Sequence, residues 1–245
     1  MNPTEQYLAD RDERAAFNGT DRDTKVATTR FMDTIYQTDY VRNFFWMGRP
    51  ILQLPTDLMA LQEIIWDVKP DYIIETGVAF GGLTVFYASI LNSVHWFKGS
   101  VISIDIDIRN HTRQDLLMHP LWEKIDLIEG DSTNPKIVKK VKSVMDSGKK
   151  IMVSLDSNHT HKHVLGELEA YGGMVSVGSY MVVMDTSIEW LDKKYIGDRP
   201  WGKGNSPWSA VQEWMKGRDG WIVDKGIEDR ILLTSAPGGW LRRVK

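Results

Sequence analysis

Four apolar runs of this 245-residue chain each carry an acidic residue at or next to their carboxyl end. Apolar runs of this length are typical of strands that are buried on both faces of a parallel sheet. In an open α/β sheet, ligands bind outside the carboxyl ends of the strands, so the pattern predicts one acidic site. The runs and their acids are 72–76 with Glu75, 101–105 with Asp105, 150–155 with Asp156, and 180–184 with Asp185.

Helical patterns alternate with these runs. Helices are predicted near 82–92, from Pro135, near 161–171 and near 208–217, with further strands at 125–129, 221–224 and 230–235. The alternation predicts an α/β fold, a Rossmann-like, doubly wound, mostly parallel seven-stranded sheet with helices on both faces. We expect residues 1–55 to form an N-terminal helical extension that packs on or caps the site, and residues 56–245 to form the main domain.

The segment 186–207 interrupts this alternation, because no helix or strand is predicted in it. Connections longer than ~15 residues without regular structure are usually lids, binding loops or linkers. Trp190, Arg199 and Trp201 lie in this segment beside glycines, which favours a lid over the site. The alternative is a surface excursion whose tryptophans pack onto the domain.

Composition excludes several classes of partner. A net charge of -3 and a pI near 6.1 lack the basic excess of proteins that track a phosphate backbone, so we expect no nucleic-acid partner. No run approaches the ~20 apolar residues of a membrane helix, and the N-terminus is polar, so we expect a soluble, cytoplasmic protein without membrane insertion. The absence of cysteine leaves oxygen and imidazole as metal ligands. Whether the chain forms a homo-oligomer is left open.

A glycine-rich turn, residues 75–82, follows the first predicted strand and opens a helix. It lacks the G-x-G-x-x-G spacing that holds a pyrophosphate. Gly77, and Gly81 further along the turn, would let the backbone approach a ligand closely, and Glu75 could accept a hydrogen bond from a cationic amine. These features predict a ligand with an amino acid end and no phosphates.

The next two strand ends extend this prediction. Asp105 could accept both hydrogens of a ribose diol, and Asp131 with Ser132, after the third strand, could border an adenine. S-adenosylmethionine has these three parts in this order, and is the predicted cofactor. The alternative is that the glycines serve only helix-to-sheet packing.

Several runs together carry a family resemblance over roughly residues 43–244. They are 46–55 (WMGRPILQLP), 74–77 (IETG), 105–109 (DIDIR), 155–161 (LDSNHTH), 185–186 (DT) and 199–202 (RPWG). With these runs the sequence resembles the cephalosporin hydroxylase-like group of class I S-adenosylmethionine-dependent methyltransferases, which includes rhamnosyl and other sugar O-methyltransferases. The resemblance implies that residues 56–245 form a class I methyltransferase domain acting on a hydroxyl of a carbohydrate or glycosylated small molecule.

Asp156 and Asp185 end strands that are neighbours in this sheet type, so their carboxylates could converge on one Mg²⁺. Metal-dependent O-methyltransferases similar to this chain have an Asp-Asn pair at the second strand end, where this chain has Asp185-Thr186. Thr186 is therefore an open candidate for the third ligand. Relatives with a Glu-Asp pair have a ligand where this chain has Met184. The alternative is that Asp156 caps the following helix and Asp185 accepts hydrogen bonds from loop amides.

His159 is the predicted general base, because imidazole titrates near neutrality and a sugar hydroxyl is a poor nucleophile until it loses its proton. Asp156 is the alternative base. His161 and His163 follow closely, but their spacing does not match a zinc motif.

Two other functions stay open at this point. A hydroxylase with a mononuclear iron site would use two of the nearby histidines and one carboxylate. A non-catalytic subunit would bind S-adenosylmethionine without transferring its methyl group.

Overall fold

The computed structural model describes residues 2–95 and 99–245. Seven strands form one sheet in the order β5-β4-β3-β6-β7-β9-β8, and β1 and β2 form a separate hairpin. The strands are β1 Phe45–Trp46, β2 Arg49–Pro50, β3 Tyr72–Thr76, β4 Ser100–Asp105, β5 Ile125–Glu129, β6 Ile151–Leu155, β7 Tyr180–Val183, β8 Trp221–Val223 and β9 Trp240–Arg243. Strands β3 to β7 are parallel, and β9 runs antiparallel to both of its neighbours. The predicted mostly parallel, seven-stranded sheet is confirmed.

The helices cover both faces of this sheet. They are α1 Pro3–Thr20, α2 Arg22–Gln37, α3 Pro55–Val68, α4 Gly82–His95, α5 Asn110–Leu117, α6 Pro135–Val144, α7 His161–Tyr171, α8 Lys193–Ile196, α9 Pro207–Trp214 and α10 Lys225–Ile231. Successive strand residues point to opposite faces. Ile73 of β3 belongs to the core layer that contains α3 and α4, and Ile74 belongs to the layer that contains α7 and α9.

The last predicted strand, 230–235, is wrong. Residues up to Ile231 belong to α10, and the seventh strand is β9, further along the chain. Ile227 is buried within α10, and the Ser235 amide donates to the Asp57 carboxylate at 2.8 Å. Residues 230–235 thus make their contacts through a helix and through Asp57, without pairing to a strand. The seventh strand, β9, instead contributes the fully buried Trp240 to the core.

The two N-terminal helices, α1 and α2, pack on the rest of the protein. Helix α1 lies against α10 closely enough that a Cβ on Gly19 would lie 2.1 Å from Asp229 Oδ1. Helix α2 then reaches the carboxyl edge of the sheet, where the Tyr36 hydroxyl lies 2.5 Å from Ser187 Oγ. In the described part of the chain, no helix is both long and apolar enough to cross a bilayer.

The strand order reverses direction between β3 and β6. From β3 the chain continues to β4 and β5 on one side, and then returns to β6 and β7 on the other. Such a switch point opens a crevice at the carboxyl edge, because the connecting helices leave on opposite faces. The crevice collects the strand-end acids predicted from the sequence.

Candidate active site

The ends of β3 and β6 touch at Gly77 and Asp156. Gly77 has a φ of +92°, and a Cβ on it would lie 2.1 Å from the Asp156 carbonyl oxygen. The Asp156 amide donates to the Thr76 carbonyl oxygen at 3.0 Å. The backbone of Asp156 therefore requires glycine at position 77, and the predicted cofactor turn contacts Asp156 directly.

The rest of the turn is held from two directions. Arg49 donates from Nε and Nη2 to the Phe80 carbonyl oxygen, at 2.9 and 2.7 Å, and pairs with Asp115. A Cβ on Gly81, whose φ is +78°, would lie 2.9 Å from Leu116 Cδ2. These contacts fix the shape of the turn, and the role of Gly81 in binding the cofactor stays a prediction.

Glu75 lies underneath the turn and is fully buried. Its Oε2 accepts hydrogen bonds from Thr84 of α4 and Ser103 of β4, both at 2.6 Å, whereas Oε1 has no hydrogen-bond partner in the described chain. Burial raises the pKa of Glu75 to about 7, and the nearby Asp105 charge acts in the same direction. Glu75 thus ties α4 to the sheet, and a cofactor amine would have to reach its enclosed Oε1.

Asp105, at the end of the neighbouring strand β4, holds the turn by hydrogen bonds. Its Oδ2 accepts the amides of Val78 and Ala79 at 2.8 and 3.3 Å, and its Oδ1 accepts the Asp107 amide at 3.1 Å. An ionised carboxylate has about four lone-pair sites. The three amides use three of these sites, so Asp105 keeps one acceptor site, on Oδ1, for a ribose hydroxyl while it holds the turn.

Asp131 and Ser132 follow β5 on the same side. Asp131 Oδ1 accepts the Thr133 amide at 2.8 Å and its hydroxyl at 2.7 Å, and these hydrogen bonds lower the pKa of Asp131. Ser132 is buried and donates to Glu167 Oε1 at 2.5 Å. Asp131 is thus the half-exposed member of the pair, and the Ser132 hydroxyl is engaged inside the protein.

Asp156, His159 and Asp185 form the second group of the crevice. One ligand atom of each lies within 4.8 Å of the other two, which makes them a candidate metal-binding group among the described residues. His159 Nδ1 lies 3.6 Å from Asp185 Oδ2. The two acids predicted to share a cation are therefore brought together, with His159 beside them.

The carboxylates of this group are poorly compensated. Burial, the Asp185 charge and the Glu75 charge, in that order, raise the pKa of Asp156 well above its usual range. Gln53 opposes this shift by donating to Asp156 Oδ2 at 2.7 Å. Gln53 was not singled out from the sequence, although it lies in the run 46–55 that carries the resemblance. A cation would remove the repulsion that raises this pKa.

Thr186 is not in this group. It is fully buried and donates its hydroxyl to the Pro237 carbonyl oxygen at 2.8 Å. The residue beside the two carboxylates is His159 instead, and its ring packs edge-on against Trp201 with centroids 5.0 Å apart. The loop after β6 turns back towards β7, a path that sequence spacing does not reveal.

The neighbouring histidines are committed elsewhere. His161 contacts Ser209 at 2.8 Å and Glu213 at 3.1 Å, both on α9. His163 faces Glu167 at 3.4 Å. His161 and His163 thus have separate partners in the structure.

A cavity of about 310 Å³ opens above His159 and Asp185. The extension, the start of the main domain and the segment 186–207 all contribute to its lining, which is Met32, Ile35, Tyr36, Asp39, Tyr40, Val41, Arg42, Leu52, Gln53, Leu54, Ile188, Leu191, Tyr195, Ile196, Arg199, Trp201 and Ser235. A larger cavity of about 600 Å³ lies away from this edge, between α1 and α10. Two ion pairs lie in its lining, Arg230 with Glu63 at 2.7 Å and Arg11 with Asp12 at 3.1 Å, whereas the smaller cavity is lined by His159 and Asp185 and is the better candidate site.

The segment 186–207 has more regular structure than the sequence indicates. It contains a 3₁₀ helix, Thr186–Trp190, and the short helix α8. Glu189 is buried and accepts the Gly204 amide at 3.0 Å and the Ser206 hydroxyl at 2.5 Å. The segment forms one wall of the cavity, and its closure as a lid stays a prediction.

The sheet order, the switch-point crevice and its acids define a Rossmann-like methyltransferase fold. Residues 38–244 match the family model described as Rhamnosyl O-methyltransferase/CmcI, and the chain belongs to this family. The resemblance seen in the sequence is confirmed. The protein is an enzyme, an S-adenosylmethionine-dependent O-methyltransferase.

Similar proteins agree with this assignment. A rhamnosyl O-methyltransferase of Mycobacterium leprae (strain TN) is 32% identical over 216 residues, which cover 85% of this chain and 89% of the relative. A CmcI structure with Mg and SAM superimposes with a TM-score of 0.58 at 19% identity, covering 83% of this chain and 78% of that one. The apo structure of CalS11, a TDP-rhamnose 3'-O-methyltransferase of calicheamicin biosynthesis, gives 0.53 at 16%, covering 91% and 95%. Both structures show a shared fold.

Proposed function

We propose that this enzyme transfers a methyl group from S-adenosylmethionine to a hydroxyl of a carbohydrate or glycosylated small molecule. The observation that carries the proposal is the group Asp156, His159 and Asp185 beside the switch point, of which His159 and Asp185 line the cavity. The mycobacterial relative, named a rhamnosyl O-methyltransferase, supports a sugar as the acceptor. The residues divide into a cofactor side at β3, β4 and β5 and an acceptor side at β6 and β7.

The cofactor side fits S-adenosylmethionine. Asp105 keeps one free acceptor site beside the turn at Gly77, and Asp131 is half-exposed beyond it. We assign the ribose to Asp105 and the adenine edge to the loop at Asp131 and Ser132. The unpartnered Glu75 Oε1 is the candidate acceptor for the amino group. When bound, this cofactor supplies an electrophilic methyl group on a sulfonium that leaves as a neutral thioether.

On the acceptor side, His159 takes the proton of the attacking hydroxyl. Asp185 faces Nδ1, which favours the tautomer that has its proton on Nδ1 and leaves Nε2 as the base. As the O–H bond breaks towards His159, an O–C bond forms and the S–C bond of the donor breaks. The edge-on contact with Trp201 limits rotation of the imidazole ring.

Asp156 and Asp185 fit a hard divalent cation such as Mg²⁺, because their carboxylates lie close together and the pKa of Asp156 is raised by burial and by the Asp185 charge. Bound there, the cation would hold the acceptor oxygen and lower its pKa. Gln53 orients Asp156 from the opposite side. Thr186, whose hydroxyl is engaged with Pro237, is the weakest of the predicted ligands.

The lining of the cavity suits a sugar with an apolar substituent. Tyr36, Tyr40, Tyr195 and Trp201 offer ring faces on which a pyranose could stack. Residues 1–55 supply two of these rings, so we propose that the extension caps the acceptor site and that residues 56–245 hold the transfer machinery.

The test is methyl transfer from labelled S-adenosylmethionine to TDP-rhamnose and to simple rhamnosides, followed by mass spectrometry for the gain of one methylene. Treatment with a chelator should abolish transfer without displacing the cofactor, and Mg²⁺ should restore it. Asp185→Asn should copy the chelator, whereas Asp192→Asn, an exposed acid at the start of α8, should not.

Each other outcome has a meaning. Full transfer in chelator would exclude the metal. Turnover that needs molecular oxygen would support the hydroxylase alternative, and tight cofactor binding without transfer to any acceptor would support a non-catalytic subunit.

A further inference from the structure

The buried carboxylate of Glu167 contacts the cofactor side and the acceptor side of the crevice together. Glu167 lies on α7 and is fully buried. Its Oε1 accepts the hydroxyl of Ser132, which follows β5, at 2.5 Å, and the hydroxyl of Ser157, which follows β6, at 2.7 Å. Its Oε2 has no hydrogen-bond partner among the described residues.

The loop at Ser132 and the loop at Ser157 are not joined to each other through the sheet. In the order β5-β4-β3-β6, two strands separate β5 from β6. The ladder hydrogen bonds of β6 hold it to β3 and β7 and not to β5, so elements that pass over the face join the loop at Ser132 to the loop at Ser157. Helix α7 crosses this face, and Glu167 faces both loops.

Helix α7 holds the Ser132 loop at further points. The Tyr171 hydroxyl donates to the Ser132 carbonyl oxygen at 2.7 Å. A Cβ on Gly166 would lie 3.1 Å from Thr133 Cγ2, so the loop packs directly on the helix. Displacement of this loop therefore has to be transmitted to α7.

His163 completes the cluster without making it a nucleophilic site. Its Nε2 lies 3.1 Å from Ser132 Oγ, 3.2 Å from Ser157 Oγ and 3.4 Å from Glu167 Oε1. A proton relay would need the serine and the acid on opposite ring nitrogens. All of these contacts use one nitrogen, so the cluster is suited to holding loops, and Glu167 raises the pKa of His163.

We infer that Glu167 is a positioning residue that couples the adenine loop, residues 130–134, to the loop of the acceptor acid and base, residues 156–160. The inference rests on the proposed function for the roles of the two loops. When the cofactor orders residues 130–134, Asp156 and His159 are then ordered too, because the hydroxyls of Ser132 and Ser157 both donate to the same oxygen atom, Glu167 Oε1. Each serine should affect its own side of the crevice, and Glu167 should affect both.

The experiment uses the full chain and two measurements that need no acceptor. Calorimetry gives the Kd of S-adenosylhomocysteine, and hydrogen exchange of the ligand-free protein gives the protection of residues 130–134 and 156–160. Glu167→Leu should raise the Kd about tenfold and speed exchange about tenfold in both loops. Ser132→Ala should raise the Kd and loosen mainly 130–134, and Ser157→Ala should loosen mainly 156–160 and leave the Kd within about twofold.

Three controls separate positioning from loss of stability. Glu167→Gln keeps an oxygen that can accept both serine hydroxyls, and should retain a Kd within about threefold of the parent. Val164→Ala removes buried volume from the same helix and lowers the Tm, but should leave the Kd unchanged. Glu169→Gln changes an exposed acid of α7 and should change neither measurement.

Wild-type loop protection and Kd in Glu167→Leu would overturn the inference, as would an equal effect of Val164→Ala at a matched Tm. Failure of the parent protein to bind S-adenosylhomocysteine would overturn the proposed function instead. Hydrogen exchange would still test the coupling in that case, because it requires no ligand.

Discussion

On the cofactor side of the crevice, Asp105 accepts three backbone amides and Asp131 accepts an amide and a hydroxyl. On the acceptor side, Asp156 accepts Gln53, and Asp185 has His159 at 3.6 Å. The first pair of carboxylates is held by hydrogen-bond donors of its own loops. In the second pair, burial and then the Asp185 charge raise the pKa of Asp156.

This difference separates two uses of the same residue type. Carboxylates that receive several N–H donors are stable as anions and give a turn a fixed shape, which suits recognition of a neutral diol. Carboxylates that face each other store repulsion, which a cation or a proton relieves. We therefore expect one side of the crevice to be formed in advance and the other to be completed by its ligands.

The largest expected effect concerns the acceptor side. His159→Gln should reduce turnover by about 10²–10⁴-fold, the usual contribution of a general base, and should leave the Kd of S-adenosylhomocysteine unchanged. Turnover should partly recover as the pH rises and the acceptor ionises unaided. Steady-state kinetics with a rhamnoside across pH checks both points.

His161→Gln is the matched control, because His161 lies two residues away and contacts α9 instead of the crevice. It should keep turnover within about threefold of the parent. Full turnover in His159→Gln would transfer the role of base to Asp156.

The next largest effect concerns the pH dependence of stability and arises from Glu75, which lies beneath the glycine-rich turn. Its pKa is raised from 4.5 to about 7, so the folded chain holds this proton more tightly than the unfolded chain. The stability that this proton contributes is complete below pH 4.5 and is lost as the pH rises through 7, by about 3 kcal/mol. Glu75→Gln should remove this part of the decline, measured by urea unfolding at about pH 4.5 and about pH 8.

The exposed acid Glu123 provides the comparison, since Glu123→Gln should leave the pH dependence as in the parent. Asp57, with a pKa raised to about 6 by burial, should contribute a remaining slope in both variants. An unchanged slope in Glu75→Gln would mean that Glu75 is ionised in the folded protein.

A smaller effect is expected on the cofactor side. Asp105→Ala should weaken the binding of S-adenosylhomocysteine by ~1–3 kcal/mol, because the ribose loses a charged acceptor and the turn loses its anchor. Calorimetry measures the change. Glu129→Gln, at the next strand end and paired with Arg113, should leave the affinity unchanged; equal affinity in the Asp105 variant would remove Asp105 from the ribose site.

The smallest effect concerns the wall of the acceptor side. If the segment 186–207 closes as a lid, its cleavage by a protease should slow several-fold when product cofactor and a rhamnoside are bound. Glu189 pins the segment through Gly204 and Ser206 in the present conformation. The same cleavage rate with and without ligands would make the segment a fixed wall.

The sequence alone determined the strands that carry the site. Each of the runs ending near Glu75, Asp105, Asp156 and Asp185 is mostly apolar, which indicates burial on both faces, and a parallel sheet then brings their carboxyl ends to one edge. The Asp156–Asp185 pairing follows from this rule, because β6 and β7 are adjacent. The family resemblance added the reaction class.

The tertiary structure decided which atoms those ends present. Glu75 is enclosed by Thr84 and Ser103, and His159 takes the place beside the acids that Thr186 was a candidate for. The prediction of a strand at 230–235 was wrong for the same reason, because Ser235 is held by Asp57, a partner 178 residues away in the sequence. Hydrophobic periodicity reports which face of an element is buried, whereas hydrogen-bond partners distant in sequence depend on how the loops fold back, and that is fixed only when the whole chain packs.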